Sequence, residues 1–121
     1  MDFKRYKVNH QHRGLLPIHQ KSQWRISEVD EEALFMKAKN NQWICPRDCL
    51  WSLNDEFLVI GEDVAGSLYV AKFWGDQGEW HGFPISMKRQ IDRPPTSAIS
   101  DWVKKSIIRK RIGNKMAQGQ F

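Results

Sequence analysis

From Trp43 to Ile85 the chain is a series of short apolar runs broken by turn residues. The runs are Leu50-Trp51, Phe57 to Ile60, Leu68 to Trp74 and Trp80 to Ile85; the breaks are Asn54-Asp55, Gly61 to Asp63, Gly66-Ser67 and Gly75 to Gly78. Their β-branched and aromatic content, punctuated in this way, predicts three or four antiparallel strands. Gly75 to Gly78 has hairpin length, which brings Phe73-Trp74 near Trp80 across a ladder.

On either side the periodicity turns helical. Ser27 offers an N-cap, Glu28, Asp30, Glu31 and Glu32 occupy the first turns, and Lys37 and Lys39 the far end, an order that complements the helix dipole. Val29, Ala33 and Met36 recur at i, i+4 and i+7, widened by Leu34 and Phe35, so a helix is predicted over Glu28 to Lys39 with that stripe in the core. Asn40-Asn41 ends it. After Pro94-Pro95, Thr96 or Ser97 can cap a second helix with Ile99, Trp102, Val103 and Ile107 on one side. Lys110 returns to that side while Ile108 and Ile112 leave it. The helix therefore either bends or ends near Ser106 to Ile108, or carries a second apolar strip for a partner.

Residues 1–25 are predicted to be a weakly structured basic segment whose cluster Leu15-Leu16-Pro17-Ile18 docks on the body. Gly113-Asn114 reads as a helix stop, and 113–121 as a mobile tail. The whole is predicted to be one domain spanning residues 1–121, of α+β class: a small antiparallel sheet of three or four strands, one helix before it and a basic C-terminal helix after it.

With 121 residues and 40% hydrophobic content the chain can fill one modest core. No apolar stretch approaches the roughly 20 residues of a membrane span, and MDFKRYKVNHQHRG lacks the apolar stretch of a secretory signal. Two cysteines, Cys45 and Cys49, suit a reducing compartment. The expectation is a soluble cytoplasmic protein with no membrane partner and no cofactor.

Charge is segregated along the chain. Trp102 to Phe121 holds six basic and no acidic residues, Met1 to Arg25 six basic and one acidic, and Ile26 to Asp101 seven basic and thirteen acidic. An acidic middle between basic ends implies an anionic partner at the ends or contacts between the ends and the middle. The leading expectation is nucleic-acid binding, RNA included, with Lys104, Lys105, Arg109, Lys110, Arg111 and Lys115 neutralising phosphates. A protein-interaction or regulatory module using the acidic middle and the C-terminal helix is the alternative.

Other constellations carry less. Trp74 and Trp80 could stack an unpaired base if the sheet exposes them. His81, with Lys72, Lys88, Arg89 or Arg93, could serve a metal-independent ribonuclease of toxin-like size. Cys45 and Cys49 have the spacing of zinc ligands, and His10, His12 or His19 could complete a site, though without the usual paired-histidine spacing. Phosphate-loop, dinucleotide, zinc-protease and nucleophile-elbow motifs are absent, and no catalytic role is required by anything in the chain.

Overall fold

The computed structural model describes residues 5–76 and 78–121. Its elements are β1 (Gln23–Trp24), α1 (Glu28–Asn41), β2 (Leu50–Leu53), β3 (Gly61–Asp63), β4 (Gly66–Leu68), β5 (Val70–Asp76), β6 (Glu79–Ile85), α2 (Thr96–Lys104) and α3 (Lys110–Ala117), with 3-10 turns at His10–His12 and Gln90–Asp92. The class is α+β. The strands divide between two antiparallel three-stranded sheets, β1-β3-β4 and β2-β5-β6. The hairpin read from the glycines joins β5 to β6, with Trp74 opposite His81 and Phe73 opposite Gly82. Among the described residues no helix is long and apolar enough to cross a membrane.

Helix α1 begins where Ser27 accepts a hydrogen bond from the Asp30 amide at 3.1 Å. It closes at Gln42, left-handed at φ 55°, whose amide returns to Ala38 and Lys39. Its inward face differs from the predicted one. Val29 is 77% and Met36 40% exposed, while Glu31, Leu34, Phe35 and Ala38 are buried. These four fall at i, i+3, i+4 and i+7, so the sequence carries two overlapping helical stripes, and the inward one is disguised by a carboxylate. Glu31 can be buried because Arg13 Nε and Nη2 donate to its Oε1 at 2.9 and 2.7 Å and the Tyr6 hydroxyl donates to Oε2.

Against the β2-β5-β6 sheet, the Phe35 ring lies 5.6 Å from Phe73 and 5.7 Å from Trp80. Gly82 makes room for this layer, since a Cβ there would sit 2.3 Å from the Phe73 ring. Trp102 of α2 is fully buried and meets Trp43 edge-on at 5.6 Å, and Trp43 Nε1 donates to Asp101 at 2.7 Å.

Residues 5–25 and 105–121 are more ordered than the sequence predicts. Buried Gln23 organises the N-terminal segment, donating from Nε2 to the carbonyls of Gln11, Leu16 and Lys21 and accepting from the Gly14 amide. Side-chain bonds of this kind leave no periodic trace in a sequence. Leu15 stays 68% exposed, so the small apolar cluster docks only in part. At the other end the chain leaves α2 at Lys104, turns through Ser106 at φ 62° and restarts as α3. Helix α2 has Pro95 at its N-cap and no side-chain cap, rather than Thr96 or Ser97. Gly113 is not a stop: it lies inside α3, where an added Cβ would come within 3.0 Å of Val103 and 3.1 Å of Ile99. The missing side chain lets the two helices approach. The expected tail is helical to Ala117, with Met116 buried and the Phe121 ring 5.5 Å from Phe57 and 5.4 Å from Tyr69.

Candidate nucleic-acid interface

The two basic ends meet different fates. At the N-terminal end four of the five described cations lie near acids, Arg13 against Glu31, Arg25 against Glu62, and Arg5 and Lys7 each 3.9 Å from Glu79, while Lys21 makes no ion pair among the described residues. At the C-terminal end one of the candidates is matched in this way. Lys105 contacts Asp101 at 2.9 Å and Asn41 at 2.8 Å, and lies 5.5 Å from the Trp43 ring centroid. Bonds from Lys105 and then Trp43 hold the Asp101 carboxyl below the usual carboxylate range. Lys104, Arg109, Lys110 and Arg111 are exposed and make no ion pair among the described residues, and Lys115 is half-buried.

Three of these cations sit at the start of α3. Arg109 occupies the N-cap without capping through its side chain, Lys110 and Arg111 follow, and the first turn holds no acid. A helix N-terminus carries unpaired amides and about half a positive charge, so acidic residues are favoured there and cations are not. The same geometry suits an anion, because amides and side-chain charges can face one phosphate together. Lys104 and Lys110 also border a groove of about 380 Å³ between α2 and α3, floored by Ile99, Val103 and Gly113.

The remaining candidates disperse. His81 Nδ1 lies 3.1 Å from the Lys7 carbonyl and Nε2 4.0 Å from Glu79, so this residue pins the N-terminal segment to β6. Two of the cations expected to serve it are engaged elsewhere, Lys72 by the Ile91 carbonyl and Asp92 and Arg93 by the carbonyls of Met87 and Lys88, while Lys88 and Arg89 are exposed. Trp80 is 4% exposed and packed on Phe35, which removes it as a stacking platform. Cys45 and Cys49 are free and half-buried, and burial pushes the Cys49 thiol up. His12 is buried with Nδ1 on the Ser22 carbonyl at 2.8 Å, and among the described residues no three metal-binding side chains converge.

One feature escaped the sequence reading. A cleft of about 520 Å³ lies over β5 and β6, lined by Lys72, Trp74 and Phe83 together with His12, Lys21 and Arg89. Alternation along Lys72-x-Trp74 and His81-x-Phe83 could have placed four side chains on one sheet face. Nothing in the sequence brings His12 to them. Comparison of the chain with protein-family models, curated proteins and solved structures found no match in any of the three.

Proposed function

We propose that this is a nucleic-acid-binding protein that grips phosphates through the start of α3 and the adjoining end of α2. The observation that carries this reading is the cluster Arg109, Lys110 and Arg111 at a helix N-terminus with no acid in the first turn and no acidic partner among the described residues. Such an arrangement costs stability in isolation and is relieved by an anion. With Arg13 and Arg25 paired and Arg5 and Lys7 sharing Glu79, much of the surplus charge is displayed on the helical hairpin that α2 and α3 form. Binding of this kind recognises backbone more than bases. It is tested by fluorescence-anisotropy titration of labelled duplex and single-stranded oligonucleotides at stepped salt: log affinity should fall linearly with log salt, and absence of binding at low salt would sink the proposal.

A second reading, docking of a cationic partner protein, draws on the outward stripe of α1. Val29, Ala33 and Met36 are exposed beside Glu28, Asp30 and Glu32, which make no ion pair among the described residues. If this stripe is a docking face, Val29→Ser with Met36→Ser weakens capture of a cationic amphipathic peptide while nucleic-acid affinity stays unchanged. Equal peptide binding by the variant would remove it.

A further inference from the structure

The cleft over β5 and β6 is built like a ligand site, and the basic hairpin does not account for it. Its floor is aromatic: Trp74 is half-buried, with Phe83 edge-on at 5.3 Å, and Phe83 is stacked on the other partner, His12, at 5.2 Å and 17°. One wall is fixed by Lys72, 7% exposed, whose ammonium is committed to the Ile91 carbonyl at 2.9 Å and Asp92 at 3.1 Å.

His12, 6% exposed, supplies the polar feature. Its Nδ1 donates to the Ser22 carbonyl at 2.8 Å, which places the lone pair on Nε2. Burial holds the imidazole below its ordinary pKa and so in the neutral form. Nε2 has no hydrogen-bond partner among the described residues and is not one of the unpaired atoms sealed from solvent. His12 lines the cleft, so this neutral acceptor belongs to a wall that adjoins an aromatic surface. At the rim stand two exposed cations, Lys21, without an ion pair among the described residues, and Arg89, 77% exposed and no nearer than 3.9 Å to Asp92.

The ligand that satisfies these groups is planar and aromatic, has an N–H on its edge and carries an anion. We propose that the cleft binds one unpaired nucleotide, its base against Trp74 with an edge N–H donated to His12 Nε2, and its phosphate at Lys21 and Arg89. The shared chemistry is that of a nucleoside monophosphate, free or as an unpaired residue of a strand. This goes beyond the phosphate-gripping hairpin and stands without it.

Calorimetric titration of the full chain with adenosine and uridine monophosphates, the bare nucleosides, inorganic phosphate and a short single-stranded oligonucleotide tests the inference. Expected is saturable binding of a monophosphate or the strand, weakened about tenfold or more by Trp74→Ala, the scale of one lost stacking contact. Lys21→Gln with Arg89→Gln changes only exposed side chains and should weaken binding to a similar degree with the fold intact. Nucleoside and phosphate alone should bind more weakly than the monophosphate. Monophosphate binding identifies a small-molecule source, and cleft-dependent binding of the strand alone identifies a nucleic acid. Failure of the wild type to bind either, or variants that bind both as the wild type does, overturns the proposal. Changing Lys104, Arg109, Lys110 and Arg111 to Gln should leave monophosphate binding unaltered, so the cleft and the hairpin fail or succeed separately.

Discussion

Arg13 donates from both Nε and Nη2 to a single oxygen of the buried Glu31 carboxylate, at 2.9 and 2.7 Å, and so ties the N-terminal segment to the inward face of α1. Removing one member strands the other. Arg13→Ala should cost about 3–5 kcal/mol in urea unfolding, the range for breaking a buried pair. Arg13→Ala combined with Glu31→Gln should cost less than the two single changes summed, because the second change removes the stranded charge. Strict additivity would show that the pair does not act as a unit.

Tyr6 completes the same network, and burial, followed by the Glu31 charge, pushes its phenol well above the ordinary value. The folded protein thus keeps a proton that the unfolded chain gives up near pH 10, which is about the ordinary tyrosine pKa. The linked stability is whole below that pH and is lost as pH rises above it, because there the folded state binds more protons than the unfolded state. Melting temperature should therefore fall more steeply above about pH 10 in the wild type than in Tyr6→Phe. Parallel curves would mean that the Tyr6 phenol is not perturbed.

Trp102 is fully buried, yet its Nε1 has no hydrogen-bond partner among the described residues. Its contribution is therefore packing, including the edge-on contact with Trp43. Trp102→Ala should lower stability by about 3–5 kcal/mol, and Trp102→Phe, which keeps a ring and drops the unpaired N–H, should cost clearly less. A loss below about 0.5 kcal/mol for the alanine variant, the surface range, would contradict the observed packing.

The α+β class, the start of α1 and the β5-β6 hairpin were legible because capping, turn residues and runs of strand-forming side chains act locally. The inward face of α1 was not. Val29, Ala33 and Met36 make the purer stripe, and Glu31 takes the inward position only because Arg13 and Tyr6, eighteen and twenty-five residues away, satisfy it. Gly113 misled for a related reason: a glycine that ends a helix and one that admits a neighbouring helix look alike until Val103 and Ile99 are placed against it. Of the candidate interface residues, the basic cluster is readable from charge, whereas its separation into Lys105, paired with Asp101, and Lys104, Arg109, Lys110 and Arg111, unpaired among the described residues, depends on where Asp101 and Asn41 lie. The cleft beside Trp74 depends on the path of the N-terminal segment, which is set by Gln23 and carries no periodic signal.

The central claim is that the start of α3 holds cations against its own dipole in order to receive phosphate. The direct measurement compares the wild type with the variant carrying Lys104→Gln, Arg109→Gln, Lys110→Gln and Arg111→Gln, recording both the salt dependence of nucleic-acid affinity and the unfolding free energy. Each lost phosphate contact should make the log–log salt slope shallower by about 0.9 on duplex DNA or about 0.7 on a single strand. The protein should be no less stable, and more stable by about 0.3–1 kcal/mol for each cation removed from the unfavourable helix end. An unchanged slope and affinity in a folded variant would contradict the claim and place the binding surface elsewhere.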